Sequence, residues 1–109
     1  MVNTDKEFLH SLHPIMDDAI VLSQSQSFRL EKIPCCYLLH DKQDDGHVIK
    51  LNDSGILIWH LCSDKRTVGE IVDLLADGFE QPREDMARDV SRVVEYLIEE
   101  RALLSEADS

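Results

Sequence analysis

Several things are scarce in this 109-residue chain, and each scarcity closes off a class of function. Bases are outnumbered two to one, with 11 Lys and Arg against 22 Asp and Glu and a formal net charge of -11. A nucleic-acid binder carries a basic stripe, and an anionic membrane surface attracts the same kind of charge, so both partners are disfavoured. No apolar run approaches the roughly 20 residues of a membrane span. Met1 to Ser11 carry a single Lys and no long apolar stretch, unlike a secretory signal. Cysteine is limited to Cys35, Cys36 and Cys62, an odd and badly spaced set for disulfides, which points to a reduced, cytoplasmic protein. Aromatic residues are few, so the core must rely on Leu, Ile and Val, and the length fits one domain.

Catalytic constellations are missing as well. Gly46, Gly55, Gly69 and Gly78 are isolated, so there is no Gly-rich phosphate loop. The pairs Asp17-Asp18 and Asp44-Asp45 fall in expected loops and read as solvated surface charge. His10, His13, His40, His47 and His60 form no ligand pattern with the cysteines. Nucleophilic Cys chemistry needs an activated thiolate beside a positioned base. Cys62 instead ends an apolar helix, and the Cys35-Cys36 pair reads as part of a strand, one thiol to each face. The reading is of a chain that is not an enzyme, with no catalytic residue, no metal site and no cofactor.

What is present is a change of period. Phe28, Leu30 and Lys32 alternate with Arg29 and Glu31 as in a strand, and Cys35 to Leu39 reads as a second one. Asp41 to Gly46 is a polar hairpin turn, followed by a third strand, His47-Val48-Ile49-Lys50-Leu51. Asn52, Asp53 and Ser54 are N-cap types ahead of a short apolar helix containing Trp59 and ending near Ser63-Asp64. Thr67 and Glu70 form a capping box opening a second helix that ends near Gly78. Gln81-Pro82 opens the last helix, where Met86, Val90, Val93, Val94, Leu97 and Ile98 recur at helical spacing. Ala102 to Leu104 can pack back as an extended tail. The expected architecture is α+β and winged-helix-like, an N-terminal three-stranded antiparallel sheet followed by three helices. Residues 1–18 read as a variable arm with a short apolar pattern around Pro14, residues 19–104 as the folded domain, and residues 105–109 as a frayed tail.

Lys50-Leu51-Asn52-Asp53-Ser54-Gly55-Ile56-Leu57-Ile58-Trp59, followed by Arg66-Thr67-Val68-Gly69-Glu70-Ile71, resembles the PqqD family and the wider group of RiPP recognition elements, which serve ribosomally made, post-translationally modified peptides. The carriers of the likeness are Asn52, Ser54, Gly55, Trp59, Thr67 and Glu70, and all six also have structural reasons to be there: capping, a turn and a core. The resemblance spans about residues 20 to 104. Ala102, Ser63-Asp64, the long arm and the Asp41–Gly46 loop depart from the family's habit, as in a stand-alone relative rather than a pyrroloquinoline quinone protein proper. It implies a domain that binds the leader segment of a precursor peptide by strand addition and presents it to a modifying enzyme. That enzyme is expected to be a radical S-adenosylmethionine enzyme, with a lasso-type peptidase as the alternative and a nucleic-acid-binding winged helix as a distant third. The implied peptide-binding strand is His47, Val48, Ile49, Lys50 and Leu51, with Arg88, Arg92 and Tyr96 flanking the groove on the last helix. The expected state is a monomer or weak homodimer.

Overall fold

A hairpin meander opens the sheet that matters most. In the computed structural model, which describes residues 15–106, β1 (Val21–Gln24) is followed by β2 (Phe28–Ile33), β3 (Cys36–Asp41) and β4 (Val48–Leu51). β2, β3 and β4 form one antiparallel sheet in that order. Leu30 faces Leu39, and Leu39 faces Ile49, so one side of the pleat is apolar and rests on the core. Pro34 and Cys35 make the β2–β3 turn, which takes Cys35 out of the strand in which it was expected.

Three helices cover that face. α1 (Asp53–Leu61) is capped by Asn52, whose side chain accepts the Gly55 amide at 2.8 Å. α2 (Val68–Phe79) follows β5 (Arg66–Thr67) and starts from a complete capping box between Thr67 and Glu70. α3 (Arg83–Glu99) buries Met86, Ala87, Val90, Val94 and Leu97 along one stripe, with Val93 and Ile98 half-buried at its margins. Trp59 lies at the centre. It is 6% exposed, and its indole N–H donates to the Ala102 carbonyl at 3.1 Å.

The α+β class and the three-stranded sheet ahead of three helices are as expected, but a second sheet was not. β6 (Leu103–Glu106) and β5 flank β1, giving the order β5-β1-β6. These strands are two to four residues long, too short for alternation to show in sequence, and their partners are distant: Gln24 pairs with Leu103. Ser105 and Glu106, expected to fray, belong to this ladder. The chain ahead of β1 is also pinned. Met16 N–H donates to the buried Ser91 hydroxyl at 2.8 Å, and Gly69 N–H donates to the Asp18 carbonyl at 3.0 Å. A Cβ at Gly69 would sit 2.9 Å from that of Asp18, so only glycine lets the two segments approach this closely. Arg83 ties the same place together by bridging Asp18 and Asp73. Most of the apolar pattern expected around Pro14 lies outside the described residues.

Two helices close on non-glycine residues in the left-handed conformation. α2 runs past Gly78 to Phe79 and ends on Glu80, which takes the left-handed conformation at φ 52°. α3 ends on Arg101 at φ 69°, with Ala102 N–H donating back to Leu97 O and Arg101 N–H to Ile98 O, a Schellman closure built on a non-glycine residue.

Candidate functional site: an open strand edge beside an apolar groove

β4 is an edge strand: among the described residues no strand pairs with its outer side. Its burial alternates, with Ile49 and Leu51 buried and Val48 and Lys50 exposed. The direction of its backbone groups follows from one bond. Asp41 N–H donates to His47 O at 3.1 Å, so that facing pair is hydrogen-bonded. Antiparallel pairs alternate, so Leu39–Ile49 and Tyr37–Leu51 are hydrogen-bonded as well. The amides and carbonyls of Val48 and Lys50 therefore point outward, away from β3.

Along this edge runs a groove of about 580 Å³, lined mainly by apolar surface. Lys50, Leu51, Asn52 and Gly55 form one wall, Arg92, Val93 and Tyr96 of α3 the other, and Cys35 and Cys36 the lip at the hairpin end. No lining residue is acidic. On a chain with net charge -11, Lys50 and Arg92 make this a local patch of the opposite sign. Arg92 is shared with Asp89, one of whose oxygens lies 3.6 Å away at a well-exposed position, where such a pair is weak.

The structure brings together only part of the residue set expected from sequence. Lys50, Leu51, Arg92 and Tyr96 share the groove. Val48 stands on the same edge strand but does not line the groove, and Ile49 is turned into the core at 1% exposure. His47 faces elsewhere. Its Nε2 lies 3.0 Å from the Glu100 carbonyl, and its ring packs edge-on to Phe28, so it ties the start of β4 to the end of α3. Arg88 is engaged within its own helix by Glu84 and Asp85 and is not a groove residue. The motif residues divide in a similar way: Asn52 and Gly55 contribute to the groove, while Trp59, Thr67 and Glu70 hold the fold. Cys35, Cys36 and Val93 were not read as groove residues. No periodicity flags the cysteines, one in the β2–β3 turn and one at the first position of β3, whereas Val93 was read only as a member of the apolar α3 stripe. Sharing Val93, a smaller hollow of about 150 Å³ lies between α1, α2 and α3, with Leu57, Phe79 and Met86 in its wall.

Among the described residues, no cluster of three or more His, Cys, Asp or Glu side chains is placed to hold a metal ion. Burial pushes the Cys62 thiol up to about 11, which keeps it protonated and unreactive at neutral pH. Every buried side-chain nitrogen or oxygen among these residues has a hydrogen-bond partner. No helix there is long and apolar enough to cross a membrane.

The fold and site define a class by shape: a small α+β domain with an unpaired strand edge over an apolar, mildly basic groove. Residues 35–103 match the model of the coenzyme PQQ synthesis protein D (PqqD) family, and the chain belongs to that family. Among solved structures it is similar to one described as TbiB1 in complex with the TbiA(beta) leader peptide. The TM-score is 0.66 and the identity 24%, over 79% of this chain and 99% of that one. No curated protein matches.

Proposed function

We propose that this chain is a non-catalytic leader-binding domain, which takes the leader segment of a ribosomally made precursor peptide as an added strand on β4 and presents it to a separate modifying enzyme. The observation that carries this reading is the outward-facing backbone of Val48 and Lys50 beside the groove. An exposed edge is a template for a further strand. Family membership supports it, and so does the similar structure, which is described as holding a leader peptide.

Two edge residues offer at most four backbone bonds, each about 0.5–1.5 kcal/mol net. Ordering a flexible leader costs about as much, so affinity must come from side chains in the groove. Two or three buried Leu, Ile or Phe would add about 1.5–3 kcal/mol each. Lys50 and Arg92 favour a leader that carries acidic residues next to its apolar anchors. We assign the client enzyme to the radical S-adenosylmethionine class, with a lasso-type peptidase as the second reading. Co-purification of the tagged domain with each candidate separates the two. The arrangement of sheet and helices is read as winged-helix-like, but α3 is a poor nucleic-acid reader: Arg83, Arg88 and Arg92 each already face a carboxylate.

The test is proline scanning of the leader, since proline removes the amide a ladder needs. Binding should fall sharply at the alternate positions whose amides face Val48 and Lys50, and little between them. In labelled protein, amide shifts should gather on residues 48–52 and on Arg92, Val93 and Tyr96. Shifts gathered on α2 or on the chain ahead of β1 would overturn this binding mode.

A further inference from the structure

Two thiols stand side by side at the lip of the groove. Cys35 is exposed in the β2–β3 turn, Cys36 is buried at the start of β3, and both are free. Their sulfurs are 3.2 Å apart and share a hydrogen bond. The third thiol, Cys62, is sealed in the core. Neither the fold nor strand addition needs a thiol pair at this position.

We infer that Cys35 and Cys36 form a reversible dithiol–disulfide site whose closure weakens peptide binding in the groove. The consequence for binding rests on the leader-binding reading above, whereas the chemistry does not. The oxidant is a low-molecular-weight disulfide. Exposed Cys35 gives up its proton, and its thiolate attacks one sulfur of that molecule. The small S–S bond breaks, and one small thiolate leaves and takes up a proton. Cys36 then loses its proton and attacks the Cys35 sulfur. The protein S–S bond forms, the mixed bond breaks, and the second small thiolate leaves and is protonated. Two protein thiols are oxidised, and one small disulfide is reduced to two thiols.

The surroundings suit this order of events. The Cys36 thiol is held above its ordinary value first by its hydrogen bond to Cys35 and then by burial, while the Lys50 ammonium pulls the other way. Once Cys35 is capped by the small molecule, its restraint on Cys36 is gone, and burial, opposed by Lys50, is what still holds the Cys36 thiol up. Consecutive Cα atoms lie about 3.8 Å apart, short of the roughly 4.4–6.8 Å that disulfides prefer. A bond between neighbours is therefore strained and easily reduced, which fits a switch rather than a brace. Closing it must bend the backbone at Cys36, which pairs with Ile33. The next residue, Tyr37, pairs with Leu51 in the groove wall, so the distortion reaches the binding edge.

The experiment is to incubate the intact chain with oxidised glutathione and read masses after tryptic digestion. Residues 33–42 carry both cysteines in one peptide, and residues 51–65 carry Cys62 in another. The first peptide should lose two hydrogen atoms and regain them with dithiothreitol, while the second stays reduced. A fluorescein-labelled synthetic leader that carries acidic residues beside Leu, Ile and Phe anchors, as the groove favours, should bind the oxidised form roughly three- to tenfold more weakly. Cys35→Ser should abolish the mass change, and its own affinity for the leader should be the same with and without oxidised glutathione. A persistent glutathione adduct without closure, or no change in mass, overturns the site. Closure with unchanged affinity overturns the coupling. A reduced protein that never binds the leader overturns the function proposed above, and the mass result still decides the thiol pair.

Discussion

Replacing Trp59 with Phe separates holding the fold from holding a ligand. The substitution keeps an aromatic ring in the core and leaves the backbone bonds of residue 59 in place, including that from Gln24 Nε2 to the Trp59 carbonyl at 2.8 Å. It removes the indole N–H bond to Ala102 O. That carbonyl still accepts the Ser25 amide at 3.0 Å, so no buried acceptor is orphaned and the loss is about 1 kcal/mol. The missing part of the indole leaves a partial cavity worth about 1–2 kcal/mol. The sum, about 2–3 kcal/mol, is smaller than the roughly 3–5 kcal/mol expected for Trp59→Ala. It is still a large share of the roughly 5–15 kcal/mol that holds a domain together. At this size each kcal/mol moves Tm by about 4–8 °C, so a fall of about 10–20 °C is expected. Urea unfolding followed by far-ultraviolet circular dichroism measures the loss, with the denaturant slope unchanged. Affinity for the labelled leader, measured well below the new Tm, should match the parent, because Trp59 does not line the groove. A variant that melts like the parent but no longer binds would place Trp59 in the binding site and refute this reasoning.

Three further predictions concern stability and reactivity. Gly78→Ala should stabilise by about 0.5–1 kcal/mol in a thermal melt, since the position is helical and an added Cβ meets nothing within 4 Å. Gly69→Ala should destabilise and free the Asp18 segment, seen as faster exchange of the residue 69 amide, because the added Cβ would press on Asp18 at 2.9 Å. Iodoacetamide at neutral pH should label Cys35 quickly and Cys62 only when the fold opens. The folded Cys62 pKa of about 11 lies above the ordinary 9.0, so the unfolded chain releases this proton first, and its share of stability is lost as pH rises from 9.0 towards 11.

Long elements with a strong pattern were legible, and features that depend on a distant partner were not. The α3 stripe and the Thr67–Glu70 box declare themselves locally, because spacing and capping chemistry act within a few residues. Val21–Gln24 is a strand only because Arg66–Thr67 and Leu103–Glu106 lie on either side of it, and no local pattern encodes that. The helix ends at Phe79, near Gly78 as expected, but the left-handed turn falls on Glu80 and not on the glycine. The groove was legible where it coincides with β4 and the exposed side of α3. His47 and Arg88 sit at the right sequence positions, but each is drawn to a nearby partner, the end of α3 for one and the acids of its first turn for the other. Cys35 and Cys36 come to the lip through a two-residue turn, which strand alternation does not describe.

The ladder between β1 and β6 has a kinetic meaning. The β2–β3–β4 meander closes through near neighbours, whereas Gln24 has to wait for Leu103. Contacts this far apart in sequence slow folding, since the chain between them must be ordered before the pairing repays it. On the ribosome the meander and α1 can emerge and collapse while β1 still has an empty side. The last event is then the arrival of Leu103 and Leu104, which seat the Ala102 carbonyl on the Trp59 indole. A free chain truncated before residue 103 should remain protease-sensitive at Val21–Gln24, whereas one that includes Leu103–Glu106 should be protected there.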